Sequence, residues 1–463
     1  MDSKLKEKYG LPVAIAMVIG IVIGSGVFFK AEKILNVTGG DQKLGILAWL
    51  IGGVIMVVCA YTFAIMATRY SYVNGLVDYA EVTCGSKYAY LLGWFMSTIY
   101  YPTLTSVLAW VSARFTCVLL GWDITGGSCL AIAAFYMCAS YAVNALSPVL
   151  AGKFQVTATV IKVIPLILMG VVGLIVGLTN GMTVENFTHV VTPVSSTGKA
   201  LFTAVVATAF AYEGWIIATS INAELKDAKK NLPKALTIGT IAVIIIYILY
   251  YIGLTGGVTN EVMMKGGQDG AKIAFETIFS KVGGTALFVF VIISCLGTLN
   301  GLMLGNTRGM YSLAVRNEGP RPDMFKQVDP TTNMPTNSSI LGLFLCGFWL
   351  LYFYGANLVE VSWFGKFSFD TSELPIVTIY FSYIPIFIAM MIKEKELGAF
   401  KRIIMPILAI CGCIFMVFAA CYTYRMTVVY YLIIFAVIMA VGVLFIKKKD
   451  EPVKVPQKNA KKK

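Results

Sequence analysis

An apolar stretch of nineteen residues, from Leu11 to Phe29, contains the tripeptide Gly24-Ser25-Gly26. At a helical rise of about 1.5 Å per residue, such a stretch is long enough to cross a bilayer. Glycine and serine are poor residues for a helix interior, because glycine loses backbone entropy and the serine hydroxyl competes for backbone groups. Non-helical backbone is tolerated inside a membrane where protein or a water-filled cavity satisfies its polar groups. The sequence therefore predicts a broken transmembrane helix with a ligand site at the break, and a packing face of small residues is the alternative.

The rest of the chain has the composition of a membrane protein. Of its 463 residues, 58% are hydrophobic and 13% are charged, and the charges cluster between long apolar runs. We predict an all-α polytopic fold with one domain over residues 1–446 and a basic tail over 447–463. The predicted spans cover about residues 11–35, 44–68, 88–120, 128–147, 154–179, 200–221, 235–258, 284–314, 338–354, 368–392, 403–424 and 427–446.

The net charge of +13 is unevenly distributed. Lysine and arginine are concentrated in the N-terminal segment, in the alternate loops on the same side and in the tail. This positive-inside distribution predicts a multi-pass protein of the cell membrane with both termini in the cytoplasm, so the lipid bilayer and not nucleic acid is the expected partner of these charges.

The cysteines and the histidine argue against several classes of site. Most of the ten cysteines lie inside apolar spans, and the single histidine, His189, lies in a predicted outer loop. We therefore expect neither a disulfide framework nor a metal site nor a histidine-based catalytic centre. No phosphate-binding glycine motif is evident, and we expect no cofactor.

A second break is predicted in the sixth span, which reads Phe210-Ala211-Tyr212-Glu213-Gly214-Trp215. It lies five spans after the first break, so the two units would have opposite orientations in the membrane, as inverted repeats require. We place the repeats at about residues 11–179 and 200–392, followed by two helices over 403–446. The alternative is that Glu213 only pairs locally or reaches the membrane surface.

Four segments, in this order, resemble the amino acid–polyamine–organocation superfamily. They are Val22–Phe28, then Asn74–Tyr79 with Gly85, then Phe210–Trp215 with Ala223–Lys226 and Asn231–Pro233, and finally Gly297–Gly301 with Arg308, Tyr311, Ala314 and Gly319–Pro320. The branch they resemble is that of the L-type amino acid transporters, especially bacterial serine/threonine and alanine–serine–cysteine exchangers. Asn74 and the pair Asp227-Ala228 depart from the usual residues of the family.

The resemblance implies a fold of five plus five inverted helices, with helices 1 and 6 broken and helices 11 and 12 outside the repeat. It implies that the N–H groups of Ser25, Gly26 and Val27 face a substrate carboxylate. Carbonyls of helices 1 and 6 would accept from the substrate ammonium group, and Phe210 would cover the substrate. The predicted substrate site comprises Val22, Ile23, Gly24, Ser25, Gly26, Val27, Phe210, Ala211, Glu213 and Gly214.

Lys162 lies nine residues after Lys153 in the fifth span, about 13 Å into the membrane by helical rise. Lys162 resembles a family lysine that replaces a sodium ion between helices 1 and 8. The resemblance implies contacts with carbonyls near Val22 and Ile23 and with the hydroxyl of Ser294 or Thr298. The alternative is that Lys162 forms a structural salt bridge. The charge state of Lys162 stays open. Arg114 and Arg308 lie near span ends. They are interpreted as charged side chains that extend to the membrane surface or hold a loop in place.

These observations predict a sodium-independent exchanger of small neutral L-amino acids that works by alternating access. A proton-coupled amino acid symporter, or a transporter of cationic amino acids or polyamines, is the alternative on the same fold. An enzyme or a receptor is disfavoured, because the spans lack convergent catalytic groups and a receptor does not need two broken helices. Cys129 is interpreted as helix packing and no obligatory heavy subunit is expected, while the roles of Glu213, Asp370 and Glu373 stay open.

Overall fold

The computed structural model describes residues 10–70, 75–218, 225–332 and 334–446, and within these ranges the chain is helical and contains no β-strand. The all-α fold class is therefore confirmed for this part of the chain. The predictions that concern Asn74, Ala223, Glu224 and the tail over 447–463 fall outside the described residues.

Nineteen α-helices are assigned within the described residues. They are α1 Leu11–Val22, α2 Gly26–Val37, α3 Gln42–Arg69, α4 Leu76–Cys84, α5 Ser86–Phe95, α6 Tyr101–Leu120, α7 Gly127–Leu146, α8 Pro148–Thr179, α9 Met182–Thr188, α10 Thr197–Ala211, α11 Trp215–Ala218, α12 Ala228–Leu254, α13 Asn260–Gly266, α14 Gln268–Ala314, α15 Pro322–Phe325, α16 Thr336–Asn357, α17 Leu374–Lys393, α18 Met405–Tyr424 and α19 Met426–Val443. A π-helical turn, Met96–Tyr100, joins α5 to α6.

Ten helical segments in the described part of the chain are long and apolar enough to cross a membrane. In chain order they correspond to the predicted spans two to five and seven to twelve. The predicted first and sixth spans are the ones that are divided into shorter helices, α1 with α2 and α10 with α11. The total of twelve crossings and the inverted repeat stay predictions.

The first predicted span is interrupted at Ile23, Gly24 and Ser25, between the end of α1 and the start of α2. Its glycines also allow close packing. A Cβ atom at Gly24 would lie 3.1 Å from the side chain of Thr298, and one at Gly26 would lie 2.4 Å from the Cα of Ala211. The break and the small-residue packing face, which the sequence presents as alternatives, are both present.

The sixth predicted span is interrupted by the turn Tyr212-Glu213-Gly214, which separates α10 from α11. Gly214 has a φ of 104°, a backbone conformation that glycine adopts without the steric cost that a Cβ atom brings. Because Gly26 abuts Ala211, the two interruptions lie against each other in the interior of the helical bundle.

Four charged side chains, Lys30, Lys33, Asp370 and Glu373, form a group that we call the outer ion cluster. The Nζ atom of Lys30 lies 2.7 Å from Oε1 of Glu373, and both side chains are fully buried. The Nζ atom of Lys33 lies 3.0 Å from Oδ2 of Asp370 and also contacts Glu373. Tyr424 donates a further hydrogen bond to Glu373. The cluster therefore ties α2 to the N-terminus of α17 and to the end of α18.

Replacement of Glu373 by glutamine should lower the thermal stability of the protein. The change leaves the buried Lys30 ammonium without its carboxylate, and breaking a buried pair in this way costs about 3–5 kcal/mol. Thermal unfolding of the purified protein in detergent measures the effect. The double variant Lys30→Met/Glu373→Leu removes both buried charges and should recover most of the loss, whereas a Glu373→Gln variant as stable as wild type would contradict this role for the cluster.

Candidate functional site

The site is built where the ends of α1 and α10 meet. The hydroxyl of Tyr247, on α12, lies 3.2 Å from the carbonyl oxygen of Val22 and 3.0 Å from that of Ala211. One buried hydroxyl group thus joins the last residues of both first half-helices. Tyr247 is absent from the residues predicted from the sequence, and nothing in its local sequence distinguishes it from the other tyrosines of the chain.

Aromatic packing holds Tyr247 in this position. Its ring stacks on that of Tyr212 with centroids 5.2 Å apart and an interplanar angle of 24°. Trp49 contacts the ring of Tyr247 edge-on at 5.5 Å, and the Tyr212 hydroxyl donates to the Trp49 carbonyl at 2.9 Å. Because these rings are buried, the hydroxyl of Tyr247 has little freedom to leave the two carbonyls.

The N-terminus of α2 supplies hydrogen-bond donors at the same place. The first N–H groups of any α-helix lack acceptors within the helix, and here no side chain of the N-cap residue Ser25 caps them. These uncapped N–H groups include those of Gly26 and Val27. Together with Ser25, these are the residues whose N–H groups are predicted to face a carboxylate. The first backbone bond of this turn runs from the N–H of Phe29 to the carbonyl of Ser25, at 3.1 Å. An anion is favoured at such a helix end.

The C-terminal ends of α1 and α10 bring carbonyl oxygens, and hence partial negative charge, to the same region. Val22, Ile23 and Ala211 are buried there, although the carbonyls of Val22 and Ala211 share the single hydroxyl proton of Tyr247. Each carbonyl oxygen has a second lone pair, so it can accept another hydrogen bond. The arrangement places donors for a carboxylate beside acceptors for an ammonium group.

The ring of Phe210 closes the site on one side. Phe210 is 7% exposed and packs edge-to-face against Phe29, with centroids 6.0 Å apart. The Nζ atom of Lys30 lies 5.2 Å from the centroid of the Phe210 ring, so the outer ion cluster reaches the predicted site. Lys30 is absent from the residues predicted from the sequence, although a lysine inside the first predicted span is a usable signal.

Glu213 turns its carboxylate toward the third predicted span. The Tyr100 hydroxyl, in the π-helical turn, donates to Oε1 of Glu213. Oε2 is buried and has no hydrogen-bond partner among the described residues. A π-turn inside a helix is frequently found at functional sites. The local pair that the sequence presents as an alternative is therefore present, and one carboxylate oxygen is left for a proton or a cationic group.

Lys162 is 3% exposed, and its Nζ atom donates to the carbonyl of Gly20. The expected acceptors are carbonyls near Val22 and Ile23, and the acceptor is the carbonyl of Gly20, two residues before Val22 in α1. The reason is packing: a Cβ atom at Gly20 would lie 2.4 Å from the side chain of Thr159, which precedes Lys162 on α8 by about one helical turn.

The two hydroxyls predicted to contact Lys162 have other surroundings. The Thr298 hydroxyl donates to the carbonyl of Ser294 at 3.0 Å, and the Thr298 side chain packs against Gly24. The hydroxyl of Ser294 is buried and has no hydrogen-bond partner within the described ranges. Helix α14 therefore reaches the first break through Thr298, whereas the bond of Lys162 joins α8 to α1.

Replacement of Tyr247 by phenylalanine should destabilise the protein by about 1–3 kcal/mol, because two buried carbonyls lose the one donor that they share. Thermal unfolding in detergent tests this expectation. Tyr251→Phe is the matched control on the same helix, since the buried hydroxyl of Tyr251 has no hydrogen-bond partner in the described part of the chain. Equal unfolding temperatures for the two variants would show that the bonds of Tyr247 do not hold the breaks together.

Comparisons with known proteins agree with this architecture. The chain is 29% identical over 422 residues to the serine/threonine exchanger SteT of Bacillus subtilis, with 89% of this chain and 91% of that protein covered. It is 23% identical to the human cystine/glutamate transporter over 73% of this chain and 66% of the relative. It is 24% identical to the rat large neutral amino acids transporter small subunit 2 over 70% of this chain and 60% of the relative. The amino acid permease family model matches residues 9–445, and the chain belongs to the amino acid permease family.

Proposed function

We propose that this amino acid permease is a sodium-independent exchanger of small neutral L-amino acids such as alanine, serine, cysteine and threonine. The observation that carries the proposal is the meeting of two interrupted helices, with Gly26 against Ala211 and Tyr247 bound to both first halves. Family membership supports amino acid transport by a multi-pass membrane protein that is not an enzyme. The similarity to a serine/threonine exchanger favours exchange and small substrates.

In this proposal the substrate carboxylate binds the free N–H groups at the start of α2. The substrate ammonium group binds the carbonyls at the ends of α1 and α10. A zwitterion then matches two opposite helix ends and needs no charged side chain from the protein. Gly24 and Gly26 are packed tightly against Thr298 and Ala211, and this tight packing supports a small substrate.

Alternating access is supported by two cavities. The cavity that we call the outer cavity, about 370 Å³ in volume, includes Phe29, which follows the first break. The other, about 280 Å³, includes Ile216, which follows the second break, and Arg308. Because the first and sixth spans are predicted to run in opposite directions, the residues after the two breaks lie toward opposite faces of the membrane. The predicted orientation puts Phe29 toward the outside and Ile216 toward the cytoplasm of the cell.

Lys162 takes the place of a coupling ion in this proposal. Its buried Nζ atom binds a carbonyl of α1, and in its protonated form it supplies the positive charge that a bound sodium ion would bring. The proposed role is to set the balance between outward-open and inward-open states and not to contact the substrate. No obligatory heavy subunit is part of the proposal.

Proton coupling is the second candidate, and Oε2 of Glu213 is the observation that favours it. A buried carboxylate oxygen without a partner can carry a proton or bind the side chain of a cationic amino acid. The two candidates differ in one measurement. A proton gradient drives uphill accumulation of alanine by a symporter, whereas an exchanger responds only to amino acid on the opposite side.

The proposal predicts exchange without a sodium requirement. In proteoliposomes loaded with labelled L-serine, external L-serine or L-alanine should accelerate the release of label, because the internal ammonium of Lys162 occupies the position of a coupling cation. Replacement of sodium by choline should change the rate less than about twofold. A loss of about tenfold, equivalent to roughly 1.4 kcal/mol, would mean that sodium takes part in the transport cycle.

Lys162→Ala should reduce exchange severely while equilibrium binding in detergent persists. A residue that biases the two open states changes the apparent affinity unequally on the two membrane faces, which half-saturation values in oriented vesicles reveal. Lys162→Arg should rescue only in part, because a planar guanidinium does not replace a compact ammonium. Lys153→Ala, at an exposed position on the same helix, is the control. Wild-type half-saturation on both faces in Lys162→Ala would assign Lys162 a purely structural role.

A further inference from the structure

The outer cavity contains a set of charges that the proposed central site does not use. Its lining comes from the second half of the first span, from the third and ninth spans and from the segment before the tenth. All of these parts lie at span ends that the orientation prediction places outside. The lining residues that matter here are Phe29, Glu32, Lys33, Trp110, Arg114 and Asp370.

Two cations and two carboxylates face this cavity. The side chains of Arg114 and Glu32 are 14% and 18% exposed, and those of Lys33 and Asp370 are 30% and 24% exposed. Solvent therefore reaches all four, but each is largely shielded from it. Burial by itself would raise the pKa of the Asp370 carboxyl, yet the ammonium groups of Lys33 and Lys30 hold that pKa below its usual range. Both signs of charge are thus present at neutral pH.

Aromatic rings form the floor of the outer cavity. The Cζ atom of Arg114 lies 5.3 Å from the ring centroid of Trp110 and 5.8 Å from that of Phe29, so the guanidinium rests on these faces. Phe29 packs edge-to-face on Trp110 at 5.6 Å and on Phe210 at 6.0 Å. The ring of Phe29 therefore joins the lining of the outer cavity to Phe210 of the predicted central site.

Arg114 keeps hydrogen-bonding capacity for a ligand. Its Nε atom is buried and has no hydrogen-bond partner among the residues that the structure describes. Its contact with Glu32 is long, at 3.4 Å. A buried donor without a partner is unfavourable, and an arginine fork matches the two oxygens of a carboxylate. The arginine thus does not extend to the membrane surface, as its place near a span end suggests, but lines the outer cavity.

We propose that the outer cavity is a second binding site, which holds the zwitterion of an incoming α-amino acid before the central site opens. Arg114 donates to the carboxylate and Glu32 accepts from the ammonium group, while the side chain rests on the rings below. The identity of the ligand rests on the proposed exchange function. The cavity volume of about 370 Å³ admits a small amino acid with some water. Substrate would then occupy two sites in series, linked by the contact of Phe29 with Phe210.

The first experiment compares the two membrane faces. In oriented proteoliposomes, Arg114→Gln and Glu32→Gln should each raise the external half-saturation concentration for L-serine by about tenfold or more, as expected when a charged contact to the ligand is lost. The internal value should change by less than about twofold, because substrate from inside does not enter through the outer cavity. Lys265→Gln and Glu261→Gln remove an exposed ion pair of a predicted outer loop and are the matched controls. Unchanged external half-saturation in both cavity variants would overturn the proposal.

The second experiment counts bound substrate, and its main measurement uses the wild-type protein. Equilibrium dialysis of the wild-type protein in detergent should give two labelled serines per chain, and Arg114→Gln should give one. Propionate, which lacks the ammonium group, should compete poorly for the second serine, and effective competition would make the cavity an anion site instead. If external serine drives release of label but only one serine binds per chain, the outer site is overturned and the exchange function stands. Two bound serines without serine-driven release would overturn the proposed exchange function and leave the outer site standing.

Discussion

The contact between the two interrupted helices is the constraint on which the rest of the structure depends. Gly26 leaves no room for a Cβ atom beside the backbone of Ala211, so the start of α2 and the end of α10 sit at the closest distance that backbone permits. At that distance one hydroxyl, that of Tyr247, reaches the carbonyls of both first half-helices. The carbonyls at the ends of α1 and α10, which would be unfavourable in lipid, thereby share a donor, and the first N–H groups of α2 lie beside them.

Charged pairs hold the ends of the bundle on both sides of this centre. On the predicted outer side, the Lys30–Glu373 pair ties α2 to α17. On the predicted inner side, Arg316 pairs with Asp78, and Arg69 lies 2.8 Å from Glu394. Apolar side chains gain little from helix–helix contact in a bilayer, because lipid is equally apolar, so polar pairs of this kind contribute more to where helices meet.

Much of the site could be predicted from the sequence because unusual residues in apolar spans are costly and therefore informative. Gly24-Ser25-Gly26 and Glu213-Gly214 located both interruptions, and Lys162 marked a buried charge on the fifth span. For Lys162 the sequence indicates carbonyls near Val22 and Ile23, and the structure identifies the carbonyl of Gly20 as the acceptor. The choice between Gly20 and Val22 depends on how α8 packs on α1, and that contact involves Thr159, which has no signal of its own.

The sequence by itself determined the fold class, the division of two helices and the residue types available for a zwitterion, because hydropathy, glycine and isolated charge act locally along the chain. Only the tertiary structure decided which side chains meet. Tyr247 and Trp49 belong to separate spans, and Arg114 and Glu32 lie 82 residues apart. Their contacts depend on the distance and rotation between helices, which no local pattern encodes. A hydrogen bond or a cavity exists only once those distances are fixed to within a few tenths of an ångström.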